Sequence, residues 1–222
     1  MKVFEGKKGL LILGVIGGLM AMTLAIFGNP KNMALCIACF IRDIAGSMKL
    51  HQTVTVQYFR PEIVGIIGGS LVMSLARKEY KSTAGSSPMI RFFLGMMTMI
   101  GALVFLGCPL RMILRMAGGD LNAYIALIGF LAGIATGAFF LKKGYTLGRS
   151  YETRPVSGAA FTIVLAAALI VSVATGLFAM SQEGPGSQHA PILIALGCAL
   201  VFGAAAQVSR MCFAGSFRNA IF

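Results

Sequence analysis

Charge is scarce in this chain, and acidic charge is scarcest. Of 222 residues only 12% are charged, seven are acidic, two are histidine and none is tryptophan. A water-soluble surface normally carries about a quarter charged residues, so this balance excludes one. The want of clustered His, Asp or Glu argues against a metal carrier. No nucleotide-binding loop occurs, so nothing in the chain points to transport powered by its own hydrolysis. No quinone or haem site is recognisable either.

What is abundant is apolar sequence, at 57% of residues. Apolar runs near 10–27, 62–76, 89–106, 121–141, 158–180 and 190–208 predict an all-α polytopic membrane protein with about six transmembrane helices. The 62–76 run is the weakest, since roughly 20 apolar residues are needed to cross a bilayer, and it draws on Tyr58 and Phe59 for length. Lys2, Lys7 and Lys8 followed by an apolar run resemble a signal peptide. No small-x-small cleavage site follows, so the segment reads as an uncleaved first helix.

The net charge of +12 raises nucleic acid as a partner. The cations, however, sit where topology wants them: Lys2, Lys7 and Lys8 before the first span, Arg77, Lys78, Lys81 and Arg91 between the second and third, and Lys142, Lys143, Arg149 and Arg154 between the fourth and fifth. The loop SQEGPGSQH after the fifth span has none. This is the positive-inside pattern with a cytoplasmic N-terminus, and it leaves no case for nucleic acid.

Three stretches combine cysteine with arginine beside an apolar run. In FLGCPLRMILRMAGGD (105–120), Gly107 permits a sharp turn and Pro109 suits the first helical position. Cys108 then falls at the helix cap, facing unpaired backbone donors and the positive end of the dipole. Arg111 and Arg115 share a face, and Gly118-Gly119 ends a helix too short to span, which predicts a half-helix facing a protein-lined cavity. In GNPKNMALCIACFIRD (28–43), Asn29 and Pro30 predict the start of a second half-helix over 30–45. Cys36, Cys39 and Arg42 follow at intervals of three on neighbouring positions of one face.

The third stretch is QVSRMCFAGSFRNAIF (207–222). Cys36 to Cys212 and Arg42 to Arg218 are the same 176 residues apart, with Asp43 and Asn219 following the arginines. An odd number of crossings separates the copies, which predicts an inverted repeat of the kind transporters use. The expected organisation is a first repeat over 1–149, a connecting transmembrane helix and loop over 150–185, and the start of a second repeat over 186–222. The counterpart of GCPLR would fall near position 284, so the sequence reads as part of a longer protein.

At CIACFIRD, LGCPLR and SRMCFAGSFRN the chain resembles the YeeE/YedE membrane family, over essentially its whole length, with Gly-Cys-Pro-x-Arg as the most specific element. The resemblance implies an hourglass-like inverted-repeat fold and import of thiosulfate-type anions across the bacterial inner membrane. It implies Cys36 or Cys39, Cys108 and Cys212 as cysteines lining the path. The Cys36-x-x-Cys39 pair looks more like the YedE branch, which is linked to selenium. A TusA-like cytosolic sulfur carrier is the implied protein partner, and no cofactor or metal is implied.

The residue chemistry fits that implication. A thiosulfate- or selenite-like anion crossing a low-dielectric core needs positive potential and donors. Arg42, Arg111 and Arg218 with helix N-termini supply these, while the thiols of Cys36, Cys39, Cys108 and Cys212 offer weak, polarisable contacts to a soft atom. Weak repeated contacts also let the substrate leave. This reading is of a carrier and not an enzyme. Two other classes stay open: a membrane thiol-disulfide oxidoreductase using Cys36 and Cys39, and a non-transporting scaffold whose arginines snorkel to the interface. Cys198, with no Pro or Arg neighbour, reads as packing, and His51 and His189 as solvated loop residues.

Overall fold

Proline opens four of the helices in this chain, at the position where its missing N–H is harmless. The computed structural model describes residues 7–85, 87–146 and 148–221. Lys2 and Phe222, and the side chains of Lys7 and Lys8, on which the orientation and chain-end readings draw, lie outside the described residues.

The order is α1 (Lys7–Ile26), α2 (Ile37–Ser47), a 3-10 turn at Val54–Val56, α3 (Pro61–Ala76), α4 (Pro88–Val104), α5 (Pro109–Ala117), α6 (Leu121–Lys142), α7 (Pro155–Thr175), α8 (Ile192–Ser209) and α9 (Phe213–Ile221). Two-residue strands at Thr83–Ala84 and Tyr151–Glu152 pair antiparallel. The protein is an all-α polytopic membrane protein. Among the described residues five helical stretches are long and apolar enough to cross a membrane: Val54–Ala76, Pro88–Ala117, Leu121–Lys142, Pro155–Thr175 and Ile192–Asn219. The first predicted span contributes a shorter apolar helix, Leu11–Ile26.

The chain divides into two compact units, residues 7–82 with Arg154–Met211, and Thr83–Thr153 with residues 212–221. In the first unit α3 and α8 make the closest helix pair. Gly69 lies against the Leu200 carbonyl and Gly203 against the Ile66 carbonyl, so neither position has room for a Cβ. Backbones approach this closely only where small residues line the seam. A core of Phe40, Ile44, Phe59, Ile63, Val64 and Leu169 joins α2, α3 and α7.

The connection between α7 and α8 is bound down to this unit. Ala179 N–H donates to the Ser47 carbonyl (2.9 Å), Ser181 N–H to the Gln57 carbonyl (2.8 Å) and Gly186 N–H to the Thr55 carbonyl (2.9 Å).

In the second unit α5 and α9 both pack on α6, and Phe130 of α6 meets Phe105 at 6.4 Å and Phe217 at 6.3 Å between ring centroids. No residue of α4 is buried. Beyond Arg91 in its first turn α4 is almost wholly apolar, and an uncovered apolar helix of this kind is suited to meet lipid.

Candidate functional site

Each of the cysteines at 36, 108 and 212 stands immediately before a short helix. Cys36 is the N-cap of α2 and Cys108 the N-cap of α5, while Cys212 precedes α9. These helices have 11, 9 and 9 residues. At 1.5 Å per residue they reach about 14–17 Å, roughly half the hydrocarbon thickness of a bilayer.

The Cys36 and Cys212 sites agree in detail. The Cys36 sulfur accepts from Cys39 N–H at 3.3 Å and the Cys212 sulfur from Gly215 N–H at 3.2 Å. Helices α2 and α9 begin at Ile37 and Phe213, again 176 residues apart. Arg42 donates to Asp43 Oδ1 at 2.8 Å and Arg218 to Asn219 Oδ1 at 3.3 Å. The cysteines at 108 and 212 share a different feature that their sequences do not show. Two residues before each stands a non-glycine residue with positive φ, Leu106 at 61° and Arg210 at 50°. Such a conformation costs an L-residue about 1–2 kcal/mol, so the turn geometry is imposed by its surroundings.

Pro109 and Gly118 bound α5. Gly107 has φ +138°, and the Arg111 side chain folds over it where a Cβ would stand, which fixes glycine there twice over. Arg115 is 9% exposed and works locally, donating through Nε to Asp120 Oδ2 at 2.8 Å. That bond, aided by the Asn122 N–H that Asp120 accepts as cap of α6, holds the Asp120 carboxyl below the usual carboxylate range.

The half-helix expected over 30–45 is corrected: residues 31–35 form turns and α2 begins only at Ile37. Asn29 does not cap it. Its side chain is drawn into a tertiary contact, donating to Glu62 Oε1 at 2.7 Å and accepting from Ala190 N–H at 2.8 Å. The helix that does form is covered by protein, with Cys39, Phe40, Asp43 and Ile44 all buried.

Cys36 and Cys39 are both buried, and their sulfurs lie 2.6 Å apart. Cys108 is also buried, Cys212 and Arg218 are exposed, and Arg42 is partly exposed. The structure therefore brings Cys36, Cys39 and Arg42 together in the first unit, while Cys108, Arg111, Cys212 and Arg218 belong to the second.

Sequence reasoning missed a buried polar cluster beside α2. Arg60 has no exposed surface; it donates to Asp43 Oδ2 (2.8 Å), the Gln188 carbonyl (3.1 Å) and the Pro185 carbonyl (2.8 Å). Its guanidinium also lies 5.1 Å from the Tyr58 ring centre, a cation–π distance. His189 stacks on Tyr58 at 4.2 Å, and His51 Nδ1 accepts from Thr53 N–H, leaving Nε2 to donate to the Arg42 carbonyl at 3.1 Å. The histidines are thus partnered, and not simply solvated as expected. The signal was Arg60-Pro61-Glu62, three polar or helix-starting residues at the mouth of the weakest apolar run.

No group of three or more His, Cys, Asp or Glu that could hold a metal occurs among the described residues. Compared with known proteins, the chain matches no family model, no curated protein and no solved structure.

Proposed function

We propose that the protein imports a small sulfur- or selenium-containing anion, of the thiosulfate or selenite kind, across a bacterial inner membrane with its N-terminus in the cytoplasm. The observation that carries this reading is the placing of Cys36, Cys108 and Cys212 each at the head of a helix too short to span. A helix N-terminus attracts anions through its free N–H groups and dipole, and a thiol beside it adds a weak, soft contact. Arg42, Arg111 and Arg218 follow on those same helices. Arg42 is partly neutralised by Asp43. The sequence resemblance to the YeeE/YedE family points the same way, and a TusA-like carrier protein is the cytosolic recipient it suggests.

The test is uptake of labelled thiosulfate and labelled selenite by vesicles containing the purified protein. Accumulation of either above that of protein-free vesicles, with sulfate excluded, supports the reading; no accumulation of either contradicts it.

A second reading has an observation of its own, the 2.6 Å approach of the Cys36 and Cys39 sulfurs. In it the two thiols are oxidised to a disulfide while a partner disulfide is reduced to two thiols. That reading requires Cys36 and Cys39 but not Cys108, whereas transport requires Cys108 as well.

A further inference from the structure

We propose that Glu62 is a proton-binding site within the first unit, and that its protonation and deprotonation accompany each anion carried. The second half rests on the transport reading; the first does not.

Glu62 stands in the first turn of α3 and is 1% exposed. Its Oε1 accepts from Asn29 Nδ2 at 2.7 Å. Its Oε2 is buried and has no hydrogen-bond partner among the described residues. An ionised carboxylate has about four acceptor sites and is costly to bury without donors to fill them.

The positive charge nearest to it does not meet that need. Arg60 Nη1 is 3.9 Å from Oε1, beyond hydrogen-bond reach. The guanidinium is turned instead toward Asp43, Pro185 and Gln188. Arg42, on α2, is also directed at Asp43. From the connection before α8, the groups nearby are the neutral Ala190 N–H on Asn29 and the His189 ring stacked on Tyr58.

Asp43 is thus held by two guanidiniums and Glu62 by one amide. Counted in full, Arg42 and Arg60 balance Asp43 and ionised Glu62 in number, so what Glu62 lacks is not net positive charge but a donor on Oε2. The N-terminus of α3 acts in the other direction, favouring the anion. Oε2, buried and unfilled on a carboxyl whose other oxygen is held by a single amide, is the atom open to a proton. Glu62 lies in the Val54–Ala76 stretch, and an ionisable residue in such a segment marks a pathway more often than it serves packing.

The experiment has two arms on the protein in lipid vesicles. Infrared difference spectra on a pH step, with glutamate isotopically labelled, are expected to show a protonated-carboxyl band that shifts with the label and in heavy water. The band should vanish in Glu62→Gln, a near-isosteric change. No label-sensitive carboxyl band in the native protein overturns the proton site, and so does an unchanged band in Glu62→Gln.

The second arm measures thiosulfate and selenite uptake with and without an inward-directed proton gradient. The native protein is expected to respond severalfold, and Glu62→Gln to lose that response while still exchanging labelled for unlabelled anion at equilibrium. A full gradient response in Glu62→Gln overturns the coupling. Absence of any uptake by the native protein overturns the coupling together with the transport reading, and leaves the infrared arm to decide the proton site alone.

Discussion

Arg60 Nε donates to Asp43 Oδ2 at 2.8 Å with neither side chain exposed, tying α2 to the N-cap residue of α3. Removing one member of such a pair leaves an uncompensated buried charge and costs on the order of 3–5 kcal/mol. Arg60→Ala and Asp43→Ala are each expected to destabilise the detergent-purified protein by that order, read from thermal unfolding. Arg42, 27% exposed and a second partner to the same carboxylate, is expected to matter far less. Equal losses for Arg42→Ala and Arg60→Ala would place the stabilising role elsewhere.

The seam between α3 and α8 gives a prediction about packing. At Gly203 a side chain would run into the Ile66 carbonyl, a backbone atom that cannot swing aside, whereas Gly133 on α6 has open space around it. Overpacking typically costs about 1–3 kcal/mol, and an immovable backbone contact puts Gly203→Leu at the upper end or beyond. Unfolding should move markedly for Gly203→Leu and hardly at all for Gly133→Leu.

Asp120 carries a pH dependence with a definite sign. Arg115 holds its folded carboxyl below the ordinary value, so its contribution to stability is complete above the unfolded value of about 3.9 and is lost as pH falls through the lower folded one. Native protein should therefore be more stable than Asp120→Asn at neutral pH, with the two converging in acid. A difference that stays constant down to the acid limit would show that the Arg115–Asp120 bond is not its source.

The parts of this fold that were legible in the sequence are those set by neighbours a few residues apart. Pro109, Gly107 and Gly118 mark α5 because caps and turns are local, and the apolar runs mark the long helices for the same reason. The Cys36–Arg42 spacing repeated at Cys212–Arg218 likewise reappears as matching sulfur and guanidinium hydrogen bonds. What stayed hidden depends on residues far apart in the chain. Asn29 reads as a helix cap, yet its partners are Glu62 and Ala190, the latter 161 residues away. Arg60 belongs to no local motif, yet it is buried because Pro185 and Gln188 bring carbonyls to it. No local periodicity records such pairings.

Orientation is tested by labelling. With the native cysteines replaced by alanine, a cysteine placed at Ser187 is expected to react from outside intact cells, and one at Ser150 only after the cytoplasmic face is opened. Reversed accessibility would invert the proposed topology and the direction of import.

The central claim is that thiols at the heads of short helices carry the anion, and the most direct test is uptake of labelled thiosulfate and selenite by Cys108→Ala beside Cys198→Ala. Alanine matches the cysteine closely in size, and Cys198 lies within α8 away from any helix head. Cys108→Ala is expected to reach the membrane at near-normal levels and to lose uptake, while Cys198→Ala keeps both. Undiminished uptake by Cys108→Ala would contradict that claim.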